Sequence, residues 1–338
     1  MPGRYPAAMP HWDVIVVGAG LSGLTAANRL GSEGLNVLVV EKSRSVGGRL
    51  ATRQIGSALV DHGAQFFTTR SDVFKLAVAS WVETGTVSTW CEGFAENDGY
   101  PRYRAAGGMS ALAKALEHQL PPSVTLVRSA QAGAMIRLGT GYAVTYNASE
   151  REPDEAAAVI MSPPIPLSLN LLKAGGVHIE RLLGARLRGV RYHRVVALLA
   201  TLDSSPSLGS KGALQTPDDA TFTFVSDNKA KGISKLPAVT FHTAHELSDQ
   251  LFDLPEREIL ARLLPEAERL LAPAKIEQTQ VKKWRFAGPV NPLAEPCVRL
   301  DGDSNRLILC GDAFGGSKVE GAYLSGLSAA QLIAEMAA

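Results

Sequence analysis

The chain has 338 residues, with 34 basic and 33 acidic side chains and a formal charge of +1 at pH 7, so it lacks the electrostatic footprint of a nucleic-acid or anionic-membrane binder. That length exceeds what one hydrophobic core usually supports and predicts two domains with a cleft suited to a small substrate. Three widely spaced cysteines, Cys91, Cys297 and Cys310, argue against a disulfide framework, a zinc site and a CxxC redox pair. With no apolar run of signal-peptide or membrane-span length, the expectation is a soluble, cytoplasmic protein. Residues 1–8, ahead of Met9, read as a lead or an alternative start.

DVIVVG opens the ordered pattern, apolar and β-branched like the buried centre of a parallel sheet. It runs into Gly18-Ala-Gly20-Leu-Ser-Gly23. There the first glycine permits a tight strand-to-helix turn, the second lets backbone approach a pyrophosphate, and the third lets helix and strand pack closely. Leu21 and Ser22 open the helix, whose N-terminal amides and dipole face the phosphates. NVLVV is the second strand, and Glu41 at its end, followed by Lys42, stands where an acid binds a ribose hydroxyl pair. An acid there disfavours a 2′-phosphate, so NADP suits the site least.

Gly47-Gly48-Arg49 comes next, then a hairpin-like ATRQIGSALVD and the run DHGAQFFTTR, Asp61 to Arg70. SDVFKLAVASWVETGTVSTWC reads as a helix followed by strands, and DGYPRY as a turn. A helix is predicted from about Ser110, a run of short strands over VTLVRSAQAGAMIRLGTGYAVTYN, and a buried strand at VIMSPPIP ended by prolines. SEREPDEAA reads as a solvated hairpin tip. RVVALLATLDSS and AVTFHTAH read as strands of a separate sheet, and PEREILARLLPEAERLLAP as a helix. DGDSN at 301–305 starts like a calcium loop, but Arg306 replaces its glycine and a hairpin turn is expected. The sequon Asn147-Ala-Ser149 has no secretory context. His242 and His245 have no third ligand nearby and read as a pocket edge or as structural histidines. Cys310 reads as a buried small hydrophobe, and Trp81 and Trp90 as core or cavity wall.

RLILCGDAFGGSKVEGAYLSGLSAAQLIAEM closes the pattern as strand, Gly311-Asp312, glycine-rich turn and helix from about Val319. A nicotinamide dehydrogenase needs neither this segment nor Gly47-Gly48-Arg49. A flavin does: the glycine pair passes close to pyrophosphate and ring, Asp312 can hold ribityl hydroxyls, and the helix start at Glu320, Gly321 and Ala322 can place its positive end at the flavin N1/C2=O edge. No second GxGxxG opens a helix, so a nicotinamide would enter the cleft only as a substrate. No cysteine follows Gly311 for a covalent flavin link, and Phe314 and Tyr323 are the only aromatics in that segment for an amine cage.

This order of motifs resembles the FAD-dependent amine-oxidase superfamily. DHGAQFFTTR, YRAAGGMSAL, FVSDNKAKG, VTFHTAHELSDQLF, KKWRFAGP and CGDAFGGSKVEGAYLSGLSAA resemble its renalase-like branch over almost the whole chain. Phe66 stands where that branch usually has tyrosine, and GGSKVEGAY replaces a turn closer to GGRVEGAW; both departures bear on substrate preference. The resemblance implies an α/β protein: a Rossmann-like FAD-binding domain (9–68, 104–166, 280–338) with a second, discontinuous α+β substrate domain (69–103, 167–279). It implies non-covalent FAD held also by Gly48, Arg49, Ala64, Gln65 and backbone near Ala132 at the adenine. Its substrate candidates are Gln65, Arg70, Asn228, His242 and the dipeptide Trp284-Arg285. The implied activity is hydride transfer from aberrant dihydro isomers of NAD(P)H to FAD, with oxygen as acceptor and hydrogen peroxide as product. An amine or amino-acid oxidase and a non-catalytic redox sensor are the alternatives.

Overall fold

The computed structural model describes residues 12–94, 98–147, 151–216, 218–300, 306–316 and 318–337. Residues 1–8, Ala148 and Ser149 of the sequon, the DGDSN turn and Ser317 lie outside these. The chain runs through β1 (Trp12–Val17), α1 (Leu21–Ser32), β2 (Val37–Val40), a hairpin of β3 (Thr52–Ile55) and β4 (Ala58–Asp61), α2 (Asp72–Glu83), β5 (Val87–Cys91) and β6 (Arg102–Ala105). It continues with α3 (Ser110–His118), β7 (Val124–Val127), β8 (Ala132–Leu138), β9 (Gly141–Tyr146), β10 (Asp154–Met161), α4 (Ile165–Ala174), α5 (Arg181–Arg188) and β11 (Tyr192–Leu202). The remainder is β12 (Ala213–Gln215), β13 (Phe222–Asp227), β14 (Ala238–Thr243), α6 (His245–Leu251), α7 (Glu256–Leu271), β15 (Ile276–Pro289), β16 (Val298–Arg299), β17 (Leu307–Leu309) and α8 (Lys318–Ala337).

One 8-stranded sheet has the order β16-β17-β10-β1-β2-β7, with β9 joined to β10 and β8 to β9. Its centre is parallel: Val14 pairs with Val37 and with Ala158. Apolar side chains on both faces explain the unbroken hydrophobic run of β1. Val14 and Val16 face α1, α3 and α8, while Ile15 and Val17 face Met135, Val144 and Leu172 on the other side.

A 5-stranded antiparallel sheet, β12-β13-β14-β11-β15, forms the second unit. Along β11 the side chains alternate: Val196, Leu198 and Ala200 pack under α6 and α7, whereas Ala197 and Leu199 meet Ile55, Ala58 and Val60 of the β3–β4 hairpin. That hairpin is therefore the apolar wedge between the units.

Three expectations are corrected. The boundary at 280 falls inside β15, which stays hydrogen-bonded to β11 until Tyr192 meets Pro289. Residues 69–103 do not belong with the second unit as a block, because Phe74, Val78 and Trp81 of α2 and Val87 of β5 are buried in the core of the first. DGYPRY is not wholly a turn, since Arg102 and Tyr103 lie in β6 opposite β5. Among the described residues no helix is long and apolar enough to cross a membrane.

Candidate active site

The glycine turn after β1 has the geometry of a dinucleotide cradle. Gly18 adopts φ +95°, and a Cβ there would meet Ser162 Oγ at 2.6 Å. A Cβ on Gly23 would meet the Gly18 carbonyl oxygen at 2.0 Å, so the helix lies directly on the strand end. Gly20 differs: a Cβ would find nothing within 4 Å, which leaves room for an outside group to approach the backbone. Leu21 is buried and Ser22 donates its hydroxyl to Cys310 Sγ at 3.1 Å, so these two offer only their amides to a phosphate. The Glu41 carboxylate, almost fully buried, accepts from the Ala19 and Ser43 amides at 2.8 Å each. Lys42 beside it is exposed.

The second glycine turn backs onto the first. Gly47 donates to the Ala19 carbonyl at 2.8 Å, and a Cβ on Gly48 (φ +54°) would lie 3.6 Å from Gly20 Cα. The Ala64 amide is tied to the Arg49 carbonyl at 2.9 Å, and the Ala130 amide to the Glu41 carbonyl at 2.9 Å, which sets the start of β8 at Ala132 beside the acid. These groups fit a dinucleotide: open backbone at Gly20 with Gly48 close beside it, an oriented acid, and a helix N-terminus with no acidic residue in its first turn.

At the other end of the cradle Gly311 takes φ +131° and donates to Ser325 Oγ at 2.8 Å. Asp312 is not a free ligand for ribityl hydroxyls as expected: both oxygens accept from Arg49, at 2.5 and 2.7 Å. Arg49 also donates to the carbonyls of Phe286 and Ala287 at 3.2 and 3.4 Å, fastening the end of β15 to the glycine turn. Glu320 is corrected too, since its carboxylate accepts from the Arg70 and Ser71 amides and the Ser71 hydroxyl at 2.6–2.9 Å. Its side chain serves the start of α2. A Cβ on Gly321 would meet the Gly316 carbonyl oxygen at 1.7 Å, and Ala322 packs into the first core. Any contact of these two with a cofactor is through backbone.

Opposite the cradle, the β3–β4 hairpin meets the second sheet through polar groups. Asp61 and Lys231 form an ion pair at 2.6 Å with neither side chain exposed. Asp61 also accepts from Thr52 Oγ1 at 2.6 Å and the Met109 amide at 2.8 Å. Burial pushes the Lys231 ammonium below its ordinary range, against the pull of Asp61. Gln65 Nε2 donates to the Asp61 carbonyl at 2.9 Å and its Oε1 accepts from Ser226 Oγ at 2.9 Å. Asn228 accepts from the Asp61 amide and donates to Ala238 O and Thr240 Oγ1. Both candidates are thus joints of this interface, with their amides already engaged.

His242 and Trp284 are brought together with a residue not singled out from the sequence, His62. Trp284 Nε1 donates to the His62 carbonyl at 2.7 Å, and the two rings stack at 5.4 Å between centroids. His62 Nδ1 and His242 Nε2 are buried without a hydrogen-bond partner among the described residues. Burial, then Lys282 and Arg53, holds His62 down at about 4, against Asp61. Burial is also the main cause for His242, at about 4, with Lys231 adding to it against the His62 carbonyl. Both imidazoles are neutral at pH 7.

Arg70 and Arg285 do not join this group. Arg70 is exposed with its guanidinium 3.3 Å over the Tyr100 ring. Arg285 lies on the opposite face of β15 from Trp284 and covers Phe252 at 5.0 Å. Of the aromatics near the last glycine turn, Phe314 is core and Tyr323 packs on Phe74 and Trp81. Phe66, Trp90, Phe94 and Phe224 instead cluster with centroids 5.0–6.5 Å apart, and Phe224 reaches the His242 ring at 6.5 Å. Phe66 is the position where the resembled branch usually has tyrosine; Asp61 and His62 sit in the same DHGAQFF and Lys231 in SDNKAKG, segments of that resemblance in which no pattern singles these three out.

A parallel sheet carrying a two-glycine cradle and an oriented acid, faced by a second sheet, defines a dinucleotide-binding protein. The chain belongs to the flavin-containing amine oxidoreductase family, whose profile matches residues 79–334, while residues 16–79 match an NAD(P)-binding Rossmann-like domain. Its cofactor is FAD. Flavin-containing amine oxidase B of Cavia porcellus is 42% identical over 78 residues, 22% of this chain and 15% of that enzyme. Matches to curated relatives of this kind span about a fifth of their length or less. Among solved structures, putrescine oxidase bound to putrescine superposes with a TM-score of 0.69 at 17% identity, covering 96% of this chain and 99% of that one. Cyclohexylamine oxidase from Brevibacterium oxydans gives 0.69 at 14% identity, covering 97% and 100%. These structural likenesses concern the fold. The family is one of oxidoreductases, which leaves the non-catalytic sensor without support.

Proposed function

We propose that the chain is a renalase-like oxidase that holds FAD without a covalent bond and takes a hydride from 2- or 6-dihydro isomers of NAD(P). When bound, the flavin supplies the hydride acceptor and passes the two electrons to oxygen, giving hydrogen peroxide. The observation that supports the reading is the pair of neutral imidazoles, His62 and His242, beside Trp284. Of the charges acting on them, Lys231 is paired with Asp61, which leaves Lys282 and Arg53 as the cations without an ion-pair partner among the described residues. Cations there repel a protonated amine, whereas a dihydronicotinamide is neutral at its ring and gives up hydride without first losing a proton. Neutral ring nitrogens can orient its carboxamide, and no side chain has to act as a general base.

The amine-oxidase reading keeps one observation of its own, the aromatic cluster of Phe66, Trp90, Phe94 and Phe224 close to His242, a surface suited to an apolar amine. Anaerobic titration of the flavin absorbance separates the two. Rapid bleaching by 2- or 6-dihydro-NAD, little by ordinary 4-dihydro-NADH and none by simple amines is expected. Fast reduction by an amine or amino acid and none by the dihydro isomers would replace the first reading with the second.

A further inference from the structure

Strand β15 presents Gln280, Lys282 and Trp284 on one face, while its neighbours Lys283 and Arg285 turn to Phe252 on the other. The first face looks onto the β3–β4 hairpin: Arg53 Nη1 donates to Gln280 Oε1 at 2.9 Å, and Trp284 stacks on His62. Arg53 and Lys282 are both half-buried and close enough to act on His62 and on each other. Burial, then the Arg53 guanidinium, lowers the Lys282 ammonium below its ordinary range. Neither forms an ion pair among the described residues. Glu256, the acid that acts on Lys282, accepts from the Val281 amide at 3.1 Å without forming an ion pair with Lys282.

Two like charges partly withdrawn from water with no counter-ion are unfavourable, and an anion received between them reverses the sign. Along the strand Lys282 lies about 7 Å from Trp284, the span of one ribose. We propose that Arg53 and Lys282 form a phosphate subsite for the 5′-phosphate of the nicotinamide half of the substrate, so that the enzyme selects a nucleotide over a riboside or a free base. The proposal rests on the dihydronicotinamide reading. It adds a guanidinium fork and an ammonium, two complementary phosphate donors, on the side of Trp284 away from the Arg49–Asp312 pair.

The test compares anaerobic flavin reduction by 6-dihydro-NAD, the corresponding mononucleotide and the phosphate-free riboside, using FAD-loaded wild type, Arg53→Gln, Lys282→Gln and Lys282→Arg. The nucleotide-to-riboside ratio of apparent affinities should fall at least tenfold in both glutamine variants and recover largely in Lys282→Arg. Inorganic pyrophosphate should compete with the nucleotide in wild type and lose that effect in Lys282→Gln. An unchanged ratio in FAD-replete glutamine variants overturns the subsite. If no dihydronicotinamide reduces the flavin, the functional reading fails on its own. A direct pyrophosphate titration of tryptophan fluorescence then decides the subsite: no saturable, salt-sensitive response in wild type overturns it.

Discussion

Lys231 places its ammonium 2.6 Å from Asp61 across the interface between the second sheet and the hairpin, in a setting where neither side chain meets solvent. The Trp90 ring lies 5.3 Å from the same nitrogen. Removing one partner of such a pair strands the other. Lys231→Met should therefore lower unfolding stability by about 3–5 kcal/mol, measured by urea denaturation of the FAD-loaded protein. The double variant Asp61→Asn/Lys231→Met should be more stable than Lys231→Met alone. A loss below about 1 kcal/mol in the single variant would mean that Thr52 Oγ1 and the Met109 amide suffice to hold the carboxylate.

The two neutral histidines tie stability to pH. Their folded values of about 4 lie below the ordinary 6.5, so the unfolded chain binds more protons between those limits. The contribution is complete above about pH 6.5 and is lost as pH falls toward about 4, by up to about 3 kcal/mol for each ring. Urea midpoints at pH 7.5 and 5 should differ less in His62→Gln/His242→Gln than in wild type. An equal pH dependence in both proteins would place the titrating groups elsewhere.

Flavin reduction should be nearly flat from pH 6 to 9, because neither imidazole changes charge there. His242→Ala should raise the apparent dissociation constant of the substrate more than it slows reduction in the saturated complex. A bell-shaped rate profile centred in that range would point to a general base instead.

Gly20→Val separates fold from cofactor. A Cβ at this position meets no protein atom within 4 Å, so the apoprotein should keep its circular dichroism spectrum. The same side chain fills the approach to the pyrophosphate, and the purified variant should be colourless. Bound FAD at wild-type occupancy would remove the pyrophosphate from this turn.

The Arg49–Asp312 pair can be tested as a unit. Asp312→Ala should weaken FAD binding by about 1–3 kcal/mol, and Arg49→Ala by a similar amount. The double variant should lose far less than the two single losses added together, because each partner depends on the other. Strict additivity would assign the two residues independent contacts.

The first unit was legible because its signals are local: a doubly buried strand has no polar face, and the glycines of Gly18-x-Gly20-x-x-Gly23 stand within six residues of one another, with Gly23 packed on the Gly18 carbonyl of the same turn. Two strands of the second sheet, β11 and β14, and its helix α7 were also visible, whereas β12, β13, β15 and α6 were not. The interface was not. Lys231 in SDNKAKG reads like any turn lysine until Asp61 is brought to it from the other unit. Phe66, Trp90, Phe94 and Phe224 likewise come from segments far apart in the chain. The dipeptide Trp284-Arg285 was misread for a simpler reason, since adjacent residues on a strand face opposite ways.

Helix α8 lies hard against α1: a Cβ on Gly326 would meet the Ser22 carbonyl oxygen at 2.1 Å, and Ala329, Ala330 and Ile333 close the core begun by Val14 and Leu24. During synthesis these residues emerge well after the strand they cover. The five-stranded sheet, whose strands all lie between Tyr192 and Pro289, can assemble earlier, whereas the nucleotide cradle waits with its flank open for β17 and α8. Cofactor loading is thereby deferred until α8 has been made, and until then β1 and α1 lack that part of their cover.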